Sequence, residues 1–428
     1  MWTEIARPAR GHLALSAAVV AGGALALSTA AGPRALVSRS RGEETDWLLG
    51  PLAVAGVPAV GPAGFTLLVL AMALAYLVAV HEAPRIGVPV AAAAVALLHL
   101  LFALAPPLLS PDVFGYLGFA RLETVYGLDP YVSAVTAIRG DPVYPYVGWK
   151  AISSPYGPLF TILSAPVGFL GLPGGLWAYK LAALASSLGC VALTHRISRA
   201  LGRDPLGPAL FVGLNPLVLV WGVGGAHNDL LTMLVALAAV RLAVSGRRWT
   251  GAGALVVAAA AVKASAGLLA PFLVLASPAR ARVLVAVAAA TGAVGLATVA
   301  AFGVDGLAGY LRAVVDHGQK TTIYSLPHHV GLALGFERVP TALRLLGLLI
   351  FVGVSAAMLR ATARGRTDWI TAAGWSTLAL LATTTWILPW YLVWLLPLAA
   401  LGESRALRSA TLVLCAFVLI TRLPLLLG

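Results

Sequence analysis

The sequence predicts an all-α polytopic membrane protein, a bundle of about 11–13 transmembrane or partly re-entrant helices with a long first outer loop carrying short amphipathic helices. Three observations predict it. The 428 residues are 60% hydrophobic and only 11% charged, where soluble domains carry about 25% charged residues. Mean hydropathy is +0.92, and apolar runs recur along the whole chain. One long stretch, Ser110 to Pro158, interrupts them with three Asp, one Glu, two Arg, one Lys, six Tyr and one Trp. The chain reads as a single unit, 1–428: N-terminal spans over 1–107, an outer loop over 108–158, and the remaining bundle over 159–428.

The first run, His12 to Ala31, follows Arg7 and Arg10 and is long enough to be retained as a helix. A polar loop, Arg34 to Asp46, separates it from Gly64–Val80 and Val88–Pro106. After the long loop, Leu159–Leu170 is short and bounded by Gly and Pro, so it is expected not to cross. Leu176–Leu193, Gly207–Val223, Leu230–Val244, Ala252–Val262, Leu268–Ala276 and Val283–Phe302 follow. Ala342–Met358, Ile370–Ile387, Tyr391–Leu401 and Ala410–Leu425 complete the set. The two cysteines, Cys190 and Cys415, lie within apolar runs and read as small hydrophobes.

The net charge of +13 sits in short loops, as the positive-inside rule places it, so it does not point to nucleic acid. The clusters Arg196/Arg199/Arg203, Arg241/Arg247/Arg248, Arg280/Arg282, Arg360/Arg364/Arg366 and Arg405/Arg408 face the cytoplasm on this reading. Alternation then places Arg34–Asp46, Ser110–Pro158, Gly224–Asp229, the turn at Lys263, Asp305–Lys320 and Leu388–Tyr391 outside. The unusual polar residues gather on that face, which is where chemistry is expected.

Asp112 is the centre of the reading. Pro111 ends the preceding span, so Asp112 stands at the mouth of the bundle, where partial desolvation raises a carboxylate toward the range of a general base. The plain alternative is an N-cap on the helix Val113–Val125, whose Phe114, Tyr116 and Phe119 suit an amphipathic helix at the interface. Gly127 ends that helix, and Asp129-Pro130 starts a turn in which Asp129 reads as structural before catalytic. The rigid Ser154-Pro155-Tyr156-Gly157-Pro158 run re-enters the membrane with an aromatic surface of the kind that faces a sugar. The second polar knot, Gly224 to Asp229, offers His227, Asn228 and Asp229 in a row. Turn chemistry alone requires no His, although Asn228 or Asp229 could simply cap a helix. Lys263 lies within an apolar run, where ionisable residues are usually functional, with snorkelling as the alternative; Lys180 is a weaker instance. His317, Lys320, Tyr324, His328 and His329 form a third outer cluster, and Trp386, Trp390, Tyr391 and Trp394 read as an interfacial belt.

Four stretches together carry a resemblance: Asp112-Val113-Phe114-Gly115-Tyr116; Gly127-Leu128-Asp129-Pro130-Tyr131; Asn215-Pro216 followed by Gly225-Ala226-His227-Asn228-Asp229; and Val262-Lys263-Ala264. They resemble the GT-C superfamily of polyprenyl-phosphate-sugar-dependent glycosyltransferases. Within it they are similar to the actinobacterial polyprenol-phosphate-mannose-dependent α-1,6-mannosyltransferases that build lipomannan. The chain is shorter than that family leads one to expect. The resemblance implies a GT-C-type bundle and inverting transfer of mannose from a polyprenyl-phosphate-mannose donor to a mannan or glycolipid acceptor. It places the enzyme in the plasma membrane with the site on the extracytoplasmic side. It makes Asp112 the base, puts His227, Lys263 and Arg121 on the donor phosphate, and leaves Asp129, Tyr131, Asn228, Asp229, Tyr116 and Tyr156 to bind or orient substrate. No cofactor or metal is implied: the leaving group is a phosphate ester, which needs positive charge rather than a second carboxyl acid. The sequence also contains no nucleotide-binding glycine motif. The rival readings are a transferase of the same superfamily using arabinose, a transporter of lipids or small molecules, and a scaffolding membrane protein. The lack of an evident internal repeat weighs against the transporter.

Overall fold

Apolar runs bounded by Pro, Gly and Arg form helices because only a helix satisfies its own backbone where water is absent. The computed structural model describes residues 7–30, 46–246 and 248–424, and the elements among them are α-helices and short 3₁₀ or π turns. The loop from Arg34 to Glu44 and Thr45, Arg247 of one basic cluster, and the run ends Ala31 and Leu425 lie outside the described residues. Among the described residues five helices are long and apolar enough to span a bilayer, or six if the bent pair Leu206–Gly213 and Leu217–Val223 counts as one. Shorter apolar helices, Val88–Leu104, Trp249–Val262, Ala264–Ala276, Trp369–Thr383 and Pro389–Leu401, supply the rest. Full-length spans are therefore fewer than apolar runs. A helix packed among other helices meets no lipid along its length and need not match the bilayer thickness.

The Arg7–Thr29 helix packs against Pro62–His81 and Val88–Leu104, and Asp229–Val244 lies between Gly171–Ala200 and Trp249–Val262. Two helices stand at the periphery. Only 11% of the apolar window of Arg280–Gly318 and 6% of that of Thr341–Ala363 is buried, which leaves rows such as Leu345, Leu348, Leu349 and Val352 facing outward, toward lipid.

Three details position the site. The Asp112–Tyr126 helix is buried on most of its surface, including Val113, Phe114, Tyr116, Leu117, Phe119 and Leu122. It is thus not the surface-lying amphipathic helix the sequence suggested, because its aromatics pack inward against Trp47, Tyr146, Tyr156 and Phe160. Pro158–Leu170 does not lead away from the long loop. Gly157 donates to Val262 O at one end, and at the other Gly168 lies against Ala120 and Thr124 of the loop helix. A Cβ on Gly157 would collide with Ala261 O, so no larger residue allows this approach. Finally, the long helix Arg280–Gly318 is broken at Gly303 (φ 68°). Its last turns pack on the loop, with Gly306 against Asp129 and Gly309 against Tyr131.

Candidate active site

Four of the segments that alternation assigned to one face, from the long loop, the turn at Lys263, Asp305–Lys320 and Leu388–Tyr391, line one cavity of about 620 Å³, whereas Gly224–Asp229 lies behind its wall. Its walls come from Leu109–Asp112 and Trp149–Tyr156 of the long loop, the turn at Lys263, the helix end at His317–Lys320, Trp386–Tyr391, and Arg422 near the C-terminus. Hydrogen bonds tie these segments to one another: Leu108 N to Gly224 O, Thr322 N to Thr385 O, and Thr385 Oγ1 to Lys320 O.

Asp112 opens its helix without capping it. No side-chain cap bond forms there, and its own N–H donates to Ser110 Oγ at 3.2 Å. The carboxylate is left for the cavity, with a side chain only 14% exposed. Burial pushes its carboxyl up to about 6, against the opposing pull of Lys263 and, more weakly, Lys320. A base in this range is ionised at neutral pH yet still binds a proton well.

Facing it is His227. After a π turn, Leu217–Val223, the chain reverses through Ala226, which is held at φ 56°. Among the described residues the non-glycine positions with positive φ are Leu109 and Ala226, each just ahead of one of these two side chains. Such backbone is unfavourable and persists only where surrounding contacts enforce it. One contact serves both turns. Lys180, fully buried, donates from Nζ to Phe102 O at 2.9 Å, Pro106 O at 3.4 Å and Gly224 O at 2.9 Å. The three N–H bonds of an ammonium match these three carbonyls. His227 stacks on Trp390 with centroids 3.5 Å apart, and its Nδ1 lies 3.7 Å from Asp112 Oδ2 and 3.5 Å from Tyr116 Oη. Its Nε2 is buried and has no hydrogen-bond partner among the described residues. Asn228 joins the knot through Tyr116 Oη, at 3.5 Å from Oδ1 and 3.4 Å from N.

Lys263 is committed within the protein. Its Nζ donates to both oxygens of Asp229 at 2.7 and 2.8 Å, and Trp394 Nε1 donates to the same carboxylate at 2.7 Å. Asp229 is therefore no helix cap. It neutralises Lys263, which lies over the rings of Tyr391 and Trp394 at the cavity wall.

Three other sequence-predicted residues lie elsewhere. Arg121 grips Asp141 through Nε and Nη2 at 2.8–2.9 Å and Gly168 O through Nη1 at 3.1 Å, so its guanidinium braces the loop and is not turned to the cavity. The expectation that it meets a donor phosphate is corrected by its partner Asp141, a carboxylate that the loop folds back onto it. Asp129 Oδ1 accepts from Tyr131 N at 2.8 Å in a local turn. Tyr131 is buried, with its hydroxyl donating to Tyr156 O and sharing a hydrogen bond with Thr161 Oγ1. Tyr156 does line the cavity. The aromatic group read as a lipid belt is corrected too: Trp390 and Tyr391 are buried, and with Trp386 and Trp394 they wall the cavity. Arg422, which the sequence reading passed over, also lines it. An ionisable residue inside the last apolar run was the signal available.

A family model described as "Alpha-(1->6)-mannopyranosyltransferase, N-terminal domain" matches residues 12–280, and one described as "MptB C-terminal domain" matches residues 320–425. The cavity is lined from both stretches. The chain is 31% identical over 75% of its length to Alpha-(1->6)-mannopyranosyltransferase A of Mycobacterium tuberculosis, covering 67% of that protein. It is 25% identical over 69% of its length to Alpha-(1->6)-mannopyranosyltransferase B of Corynebacterium glutamicum, covering 56% of that one. No solved structure matches it. With a family model spanning well over half of its residues, the chain belongs to the alpha-(1->6)-mannopyranosyltransferase family.

Proposed function

We propose that the protein transfers a mannosyl group, with inversion, from a polyprenyl-phosphate-mannose donor to a mannan or glycolipid acceptor in lipomannan-type assembly. We place the reaction at the extracytoplasmic face of the plasma membrane. The observation that carries this reading is the largely shielded Asp112 carboxylate on the wall of a cavity large enough for two sugars. The acceptor hydroxyl oxygen attacks C1 of the mannose, its proton passes to Asp112, and the bond from C1 to the phosphate oxygen breaks with its electron pair leaving on the phosphate. A β-linked donor thereby yields an α-linked product. His227, stacked on Trp390, lies buried beside Asp112 with Nδ1 3.7 Å from the carboxylate, and Tyr156 offers an aromatic face to a sugar.

The test is an assay of the purified full chain with polyprenyl-phosphate mannose, polyprenyl-phosphate arabinose and a nucleotide-linked mannose, each with a short α-mannoside acceptor. Mannosylated acceptor and free polyprenyl phosphate should form from the first donor alone. Product from the arabinose or nucleotide donor in its place refutes the reading.

A further inference from the structure

The cavity has a second basic end. Lys320 Nζ lies over the rings of Trp149 and Trp386, at 4.9 and 5.7 Å, and among the described residues no carboxylate is within ion-pair distance of it. Arg422 lies over the Tyr324 ring at 3.6 Å and spends Nη2 on Ile387 O, while its Nε is buried with no hydrogen-bond partner among the described residues. The indole Nε1 of Trp386 is in the same condition. Lys320, Arg422 and Trp386 all line the cavity. Two uncompensated cations and two unused N–H donors around one space call for an anion, since unpaired charge and unsatisfied donors in a shielded place are costly.

We propose that Lys320, Arg422 and Trp386 form the anion subsite that receives the lipid-linked phosphate, and that Lys263 does not. This rests on the reading of the donor given above. The stereochemistry of the reaction favours it. Inversion places the attacking and leaving oxygens on opposite sides of C1, so the base and the leaving phosphate need a sugar's width between them. His227 and the Lys263–Asp229 pair belong to the base's own end of the cavity: His227 is 3.7 Å from Asp112, and Asp229, two residues further along the same turn, holds Lys263 at 2.7 Å. Charge balance points the same way, because the Lys263 ammonium is already matched by Asp229. The lipid source follows from the walls. His317 and Val314 of the Arg280–Gly318 helix line the cavity, while Leu311 and Val315 of the same helix are exposed apolar residues on a helix that faces lipid. A phosphate arriving on a polyprenyl chain reaches the basic end without leaving the bilayer surface.

The experiment is a titration of the full-length chain in detergent with polyprenyl phosphate and, separately, with inorganic phosphate, read by quenching of tryptophan fluorescence and by competition with transfer. Lys320→Gln and Arg422→Gln should each weaken polyprenyl-phosphate binding about tenfold or more, the scale of one lost charge-assisted hydrogen bond. Lys320→Arg, which keeps the charge, should retain binding within about threefold and so separate a lost ligand contact from a lost fold. Unchanged binding in Lys320→Gln with weakened binding in Lys263→Gln overturns the subsite. Inorganic phosphate binding as tightly as the lipid overturns the lipid assignment. Wild-type protein that binds neither polyprenyl phosphate nor its mannosyl derivative overturns the donor reading itself, a result distinct from a misplaced subsite.

Discussion

Two lysines face one cavity in opposite states. Lys263 is held by both oxygens of Asp229, which is itself fixed by Trp394, so that corner is a neutral, rigid unit. Lys320 rests over two indole rings with no carboxylate within ion-pair distance among the described residues. A shielded charge that the protein compensates is part of the framework, whereas one left uncompensated is available to a ligand. On the reading proposed above, the end holding Asp112, His227 and Lys263 serves proton transfer, and the end holding Lys320 and Arg422 holds the anion.

The largest effect that separates the two ends is expected from Asp112→Asn. The amide keeps the shape and removes the base. Turnover should fall about a hundredfold to ten-thousandfold, the range of a lost general base, while polyprenyl-phosphate binding stays within a few-fold of wild type. Binding that collapses together with turnover would merge the two ends into one site.

Asp229→Asn probes whether the Lys263 corner is framework. Removing one partner of a buried pair leaves the other charge uncompensated and costs about 3–5 kcal/mol. A lowered thermal unfolding midpoint in detergent, with the double variant Asp229→Leu, Lys263→Met recovering much of it, fits a structural pair. A single variant as stable as wild type contradicts it.

Asp112, His227, Asp229 and Lys263 were legible because an ionisable side chain at the edge of an apolar run has few structural reasons to be there. The direction of their contacts was not. Arg121 resembled a phosphate ligand until the loop brought Asp141, twenty residues on, against its guanidinium. Trp386 and Trp390 sit near the end of an apolar run, where belt residues and cavity walls have the same local sequence. Lys180 looked like a faint copy of Lys263. Its role lies in three carbonyls from chain breaks that only the fold assembles. The helical class followed from composition, whereas the short buried helices did not, because an apolar run does not reveal whether its neighbours are lipid or protein.

The smallest effect is also the most discriminating. The acid limb of the pH–turnover profile reports Asp112, whose carboxyl stands at about 6 because burial raises it. The base acts only when ionised, so turnover at saturating donor should fall about tenfold per pH unit below that value and level off above it. Neighbouring charges move the limb in opposite directions. Lys320 favours the ionised form, so Lys320→Gln should carry the limb to higher pH. Asp229 disfavours it, and its loss also frees the charge of Lys263, so Asp229→Asn should carry the limb to lower pH. Each shift is a fraction of a pH unit to about one unit, the scale of a single partly screened charge across a cavity. Opposite signs are what removing a cation and an anion near one titrating carboxylate should give, and would identify that carboxylate as Asp112. Shifts of the same sign, or a limb that neither variant moves, would mean that the titrating group is not Asp112.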